Sequence, residues 1–254
     1  MKVVAIVQAR MGSTRFPGKV LQPILGRPML ELMLERIKRS KRLDAVVIAT
    51  STNKLDDRIE ELAKVAGVGC FRGSENDVLD RVLQTAKQFK ADIIVELWGD
   101  APVIDPEVID QAVEYYLAND YDCVGTCLDM SFPWGIGLLI FSTKVLDEVS
   151  KVALDPFYRE HVSNYIYEHT EKYTVGHLPC PPELRRPELR LAVDEMVDYV
   201  LIKDIYEHFS AVNNPDFNTK DIIDLADSRP KMFEINKNVK QRSALKKNNA
   251  GGTK

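Results

Sequence analysis

Three short, nearly unbroken apolar runs constrain this chain most: KVVAIVQ at 2–8, AVVIAT at 45–50 and DIIVEL at 92–97. Each is rich in β-branched residues and bounded by polar residues. Each therefore reads as a strand buried on both faces, the pattern of a parallel sheet covered by helices. The intervening stretches have helical period. Met29–Ser40 puts Leu30, Met33, Leu34 and Ile37 on one face, and Leu55–Ala66 and Asn76–Phe89 repeat the pattern. Pro106 opens a further helix with Asp105 as its cap. Strands alternating with helices of this length imply right-handed crossovers. The expected fold is α/β, a Rossmann-like, mostly parallel twisted sheet flanked by helices.

The second half is less regular. Cys123–Cys127, Ile136–Phe141, Tyr173–Leu178 and Leu189–Val193 read as strands, and Asp155–His169 and Met196–Phe209 as helices. Asn218 caps a last helix through Ala226. The expectation is a single domain over 1–235, in two halves at about 1–120 and 121–235. From Lys237 there are six Lys/Arg residues and no acids, so 236–254 reads as a disordered basic tail.

A net charge of −4 argues against a general nucleic-acid binder but leaves room for a local basic pocket. No apolar run approaches the roughly 20 residues a membrane span needs, and the first residues turn polar too soon for a secretory signal. Cytoplasm is the expected compartment. The four cysteines form no CxxC pair, so neither a zinc site nor a disulfide framework is indicated.

Ligands of parallel sheets bind beyond the carboxyl ends of the strands. The most polar loops there follow Gln8 and Leu97. The first, Ala9–Lys19, carries Arg10, Arg15 and Lys19, two hydroxyls and two glycines. Backbone N–H groups of such a turn form an anion-binding concavity, and its cations would neutralise a triphosphate. The alternative is a solvated surface loop, yet strand-to-helix loops usually run about 2–6 residues. It is not a P-loop: five residues separate Gly12 from Gly18, and Val20 follows Lys19 where a hydroxyl should sit. Nor is there a GxGxxG fingerprint. Asp100, just past the third apolar run, is well placed to ligate Mg²⁺, which takes few protein oxygens plus phosphate oxygens. Asp194 ends another short apolar run, where physics alone favours a helix cap.

The run VQARMGSTRFPGKVL resembles the signature loop of the CMP-sugar synthetases, the group with the CMP-Kdo and CMP-sialic acid synthetases, and especially the spore-coat polysaccharide biosynthesis cytidylyltransferase branch. The resemblance runs from residue 1 to about 210 and implies a GT-A-like nucleotide-diphospho-sugar transferase fold. It implies transfer of CMP from CTP to a small anionic acceptor with Mg²⁺, a nucleotide-binding half at about 1–120, an acceptor half at about 121–235, and a homodimer. By this resemblance Ala9, Arg10, Met11, Gly12 and Ser13 wrap the nucleotide, and Arg15 and Lys19 take its phosphates. Asp100 and Asp194 become the metal ligands, with Arg15, Lys19 and Asp100 catalytic. SENDVLDR places Asn76, Asp77 and Arg81 near base and ribose, although Ser74 also reads as a helix cap with Asp77 as its box partner. YREHV implies that Arg159 and His161 face the acceptor, with a core histidine the alternative for His161; Asp198 reads as structural. Two places depart from the pattern. Ala101 stands where a polar residue is usual, and acids common near Trp134, Gly137 and Leu139 are missing, which leaves the acceptor open. Rival readings are a sugar-1-phosphate nucleotidyltransferase using another nucleotide, and a non-catalytic nucleotide-binding subunit.

Overall fold

The computed structural model describes residues 1–240. The basic tail expected at 236–254 lies mostly outside the described residues. In chain order the strands are β1 (Val3–Gln8), β2 (Pro23–Ile24), β3 (Arg27–Pro28), β4 (Ala45–Ser51), β5 (Gly69–Gly73), β6 (Ile93–Trp98), β7 (Cys123–Gly125), β8 (Leu139–Ser142) and β9 (Val175–His177). The helices are α1 (Met29–Ile37), α2 (Asp57–Ala66), α3 (Val78–Gln88), α4 (Pro106–Ala118), α5 (Thr143–Val152), α6 (Pro156–Glu160), α7 (Asn164–Glu168), α8 (Met196–Ala211), α9 (Thr219–Ser228) and α10 (Pro230–Phe233).

The main sheet has the order β5-β4-β1-β6-β8-β7-β9, and β2 and β3 form a separate hairpin. β5, β4, β1 and β6 are mutually parallel; β8 runs antiparallel to β6 and to β7, and β7 is parallel to β9. The three apolar runs thus become three adjacent central strands. Odd-numbered residues of β1 (Val3, Ala5, Val7) pack under a layer holding α1, α2, α4, α8 and α9, while Val4 and Ile6 pack under α3, α5, α6 and α7. With helices on both faces, these strands are apolar at most positions.

Two expected caps are present: the Asp105 side chain accepts from Glu107 N at 2.9 Å, and Asn218 accepts from Asp221 N at 3.0 Å. Three expectations need correction. Asp77, not Ser74, caps α3, accepting from Asp80 N at 2.9 Å. Ser74 instead accepts the amide of Asp77 one turn earlier. Asp155–His169 is two five-residue helices rather than one, broken at His161–Ser163. Leu189–Val193 is not a strand, because only Arg190 makes an isolated bridge, to Trp134. Its apolar residues point into the core without an edge to pair with. β5, whose residues are half-buried and contain two glycines, and α5 gave no signal strong enough to anticipate.

Among the described residues no helix is long and apolar enough to cross a membrane. Phe141 on β8 is fully buried opposite Ile94 and Cys123. Phe141→Ala is expected to cost about 3–5 kcal/mol, read as a lower urea midpoint at unchanged slope.

Candidate active site

The loop after β1 folds back on itself. Ser13 N and Gly18 N both donate to Met11 O, at 2.9 and 3.0 Å, and Leu21 N closes the next turn on Gly18 O. Phe16 anchors the loop, buried edge-on against Tyr199 with ring centres 5.8 Å apart. Met11 N donates to Asp56 Oδ1 at 2.7 Å, and buried Asp56 is itself gripped by Ser51. A long loop that would otherwise carry much conformational entropy is therefore pinned at both ends.

The loop after β6 is brought against it. Gly99 N donates to Gln8 O at 2.9 Å, and a Cβ on Gly99 would lie 3.1 Å from both Gln8 O and the Ala9 side chain. Only glycine lets the two strand ends approach this closely. The 190–195 segment then crosses both: Val193 N donates to Asp100 O at 2.8 Å, and Leu191 N to Trp134 O at 2.6 Å. Gly135, at φ 107°, makes that crossing possible, since a Cβ there would stand 2.6 Å from Ala192 N.

These contacts assemble a charge cluster from three distant parts of the chain. Lys19 Nζ donates to Asp100 Oδ2 at 3.0 Å, Asp194 Oδ1 at 3.2 Å and Val193 O at 2.6 Å. Arg15 reaches Asp194 Oδ1 at 2.8 Å and Glu195 at 3.7 Å. Arg190 takes the other Asp194 oxygen at 2.7 Å and Asp198 at 2.9 Å. Asp198 is wholly buried and accepts from Asp194 N, Glu195 N and Asn236 as well, holding the whole turn. Burial pushes the Asp194 carboxyl up, but Lys19, Arg190 and Arg15 outweigh it and hold it below the usual carboxylate range. Three cations thus surround the Asp194 carboxylate.

The structure brings Arg15, Lys19, Asp100 and Asp194 together. Among the described residues no group of three or more His, Cys, Asp or Glu could hold a metal ion. A divalent cation here would have two carboxylates from the protein and would need ligand oxygens for the rest. That is the donor set Mg²⁺ accepts with a polyphosphate, and the residues fit it.

A second group lies at the start of α3. Arg10 is 3.9 Å from Glu75, which also accepts from Asn53 at 3.1 Å. Arg81 is buried and donates to Ser74 O at 2.6 Å, bracing this turn from beneath. Burial, then the nearby positive charge of Arg10, pushes the Arg81 guanidinium down to about 10. Asn76 is exposed. Asp77 pairs with Arg159 at 2.6 Å, and Arg159 also donates to Ser150 O at 3.1 Å. Arg159 therefore ties α6 to the α3 turn, and His161, just past α6, tilts against Phe157 with ring centres 4.7 Å apart. Of the loop residues, Ala9 is buried, Gly12 exposed and Ser13 half-buried, its hydroxyl accepting from Phe16 N at 3.4 Å.

Sequence reasoning did not anticipate Asp56, Glu75, Arg190 or Glu96. Arg190, a lone cation inside the apolar run LRLAV, was the one visible signal. Glu96 was hidden within a strand. It is buried on β6 and accepts from Gln8 Nε2 at 2.6 Å. Burial pushes its carboxyl up to about 7, against the opposing pull of Ser163 and Gln8, and it faces Cys123, Cys127 and Tyr167. A carboxyl raised on folding favours the protonated folded state. Stability from this group is therefore full below its ordinary value of 4.5 and is lost as pH rises toward 7. The loss is expected to be about 3 kcal/mol. Chemical denaturation of Glu96→Gln across pH 5–8 is expected to lack that slope.

Comparison with known proteins identifies the family and the fold. The family model described as cytidylyltransferase matches residues 4–249. The spore coat polysaccharide biosynthesis protein SpsF of Bacillus subtilis is 36% identical over 235 residues, 90% of this chain and 95% of that one. The structure of a cytidylyltransferase from Leptospira borgpetersenii superposes with a TM-score of 0.87 at 36% identity, covering 96% of this chain and 100% of that one. The fold alone is shared with a CMP:2-keto-3-deoxy-manno-octonic acid synthetase complexed with CTP, at a TM-score of 0.62 and 17% identity over 82% of this chain and 99% of that one.

Proposed function

The chain belongs to the cytidylyltransferase family, and from that premise we propose that it transfers CMP from CTP to an anionic sugar-type acceptor in surface polysaccharide or glycoconjugate synthesis. One observation carries the reading: Asp100 and Asp194, ninety-four positions apart in sequence, bond the same Lys19 ammonium, with Arg15 beside it. Such a cluster has its ionisable groups held ready for a polyphosphate before any ligand arrives, which is how positioning lowers a barrier.

In the reaction an acceptor oxygen attacks the α-phosphorus of CTP in line. The new P–O bond forms as the bond to the β-phosphate bridging oxygen breaks, and the electron pair leaves with pyrophosphate. An acceptor oxygen that is already anionic needs no base. Lys19 and Arg15 turn from the carboxylates to the phosphates, neutralising charge on the leaving group. Asp100 and Asp194 would hold Mg²⁺, which when bound supplies Lewis-acid neutralisation and orients the reacting oxygens. Arg190 and Asp198 keep Asp194 in place. Arg10 and the Asn76–Arg81 turn, with Ala9–Ser13, enclose base and ribose. Arg159 and His161 border the acceptor side. The name of SpsF speaks for polysaccharide synthesis, and that of the octonic acid synthetase for an acidic sugar. A homodimer in the cytoplasm belongs to the same reading.

Thermal-shift titration with CTP, UTP, GTP and dTTP, each with Mg²⁺, separates this from a sugar-1-phosphate nucleotidyltransferase; CTP is expected to stabilise most, and a preference for GTP overturns the cytidine assignment. Pyrophosphate release with a panel of sugar acids and sugar phosphates separates it from a non-catalytic subunit, which binds CTP yet releases nothing with any acceptor.

A further inference from the structure

Beside Asp100, on the sheet face opposite α1, lies a polar-and-aromatic step that the reaction as described leaves unused. Trp98 is the last residue of β6, half-buried at the end of an otherwise buried strand. Its carbonyl accepts from Ala101 N at 3.0 Å, so the indole and the Asp100 carboxylate sit on one rigid turn. Gln8 is its register partner on β1. The Gln8 amide is held by Glu96 at 2.6 Å from below, and among the described residues its remaining N–H and its oxygen have no other partner.

The rim of the indole is kept open by a bare backbone. A Cβ on Gly137 would lie 3.7 Å from Trp98 Cζ3 and 3.2 Å from the Cys127 Cβ, so any side chain there would spread over the ring. That backbone is fixed: the Thr126 hydroxyl donates to Ile136 O at 3.1 Å and accepts from Leu138 N at 3.0 Å. Trp98 and Cys127 are both half-buried against the same apolar layer. A half-buried indole flanked by one oriented amide, on the same turn as the Asp100 carboxylate, is the make-up of a small-molecule subsite.

Resting on the cytidylyltransferase reading, we infer that Trp98 and Gln8 form the acceptor subsite, with the C–H face of a cyclic sugar on the indole, a ring hydroxyl on the Gln8 amide, and Glu96 as a positioning residue for that amide. The subsite selects a ring-closed acceptor over an acyclic polyol phosphate, which has no flat apolar face to offer. Gly137 is the opening through which the ring reaches Trp98.

The chain has two tryptophans, so the Phe variant of one leaves the other as sole reporter. With CMP and Mg²⁺ present, so that no transfer can occur, tryptophan emission is titrated with 2-keto-3-deoxy-manno-octonate, glucose 1-phosphate and ribitol 5-phosphate. The expected result is a saturable change with at least one cyclic probe, none with ribitol 5-phosphate, and loss of the change in Trp98→Phe, where Trp134 still reports. Trp98→Ala and Gly137→Leu are expected to raise the dissociation constant of that probe at least tenfold and leave CTP affinity unchanged. Glu96→Gln is expected to weaken the probe about threefold without affecting CTP. The inference is overturned if neither cyclic probe changes the emission, if Trp98→Phe retains the change, if ribitol 5-phosphate acts equally, or if Trp98→Ala weakens CTP instead. CTP stabilisation of the wild-type fold, measured separately, tells this failure from failure of the underlying reading.

Discussion

Lys19→Ala is expected to lower kcat/KM for CMP transfer by about 100- to 1,000-fold, the usual cost of removing one pre-positioned charge-stabilising donor. The ammonium is almost enclosed and makes three contacts with site acceptors, so no water or neighbouring lysine can take its place. Without it, Asp100 loses its one cationic partner among the described residues, whereas Asp194 keeps Arg15 and Arg190. The loss should therefore fall on kcat more than on CTP binding, since Arg10 and Arg15 remain to attract the nucleotide. Lys19→Arg is expected to recover little, because a planar fork does not fit between two carboxylates and a carbonyl. Steady-state kinetics of the two variants, with circular dichroism to check the fold, decide the matter. A Lys19→Ala enzyme within threefold of wild type would remove Lys19 from the mechanism.

Asp198→Asn is expected to destabilise the protein by about 3–5 kcal/mol, the cost of leaving one partner of a buried ion pair uncompensated. One oxygen accepts from Arg190 and Asn236, and the other from the amides of Asp194 and Glu195. All four partners are donors. An amide nitrogen in place of either oxygen must point at donors, and Arg190 loses its buried counter-charge. For a domain of this size the melting temperature should fall on the order of 10 °C. Activity should fall as well, because the Asp194 turn is no longer held. A variant that melts within 2 °C of wild type but is inactive would place Asp198 in the chemistry rather than in its support.

The legible part of the fold was the part with strong periodic signals. β1, β4 and β6 were readable because burial on both faces makes most positions apolar, and Asp105 and Asn218 announced helices through their own side chains. The helix expected over Asp155–His169 failed because aromatic packing among Phe157, Tyr158, Tyr165 and His169 competes with continuous helix. Leu189–Val193 looked like a strand because buried segments and strands share a composition; only the absence of a pairing edge tells them apart. In the site, Arg15, Lys19, Asp100 and Asp194 were legible from loop length, strand ends and family resemblance. Arg190, Asp56 and Glu96 were not, since their roles depend on neighbours between 4 and 88 positions away.

Local chemistry therefore determined, by itself, that the chain forms a helix-covered parallel sheet with a cationic turn at one strand end and acids at others. Hydrophobic pattern and turn composition act over a few residues and are written directly in the sequence. Tertiary structure alone decided that two of those acids close on one ammonium, that Asp198 is a buried support, and that a half-buried indole on the turn of Asp100 faces Gly137. Those are consequences of three-dimensional approach, allowed by Gly99 and Gly135, where the lack of a side chain lets distant backbones meet, and by Gly137, which leaves room for the Trp98 and Cys127 side chains.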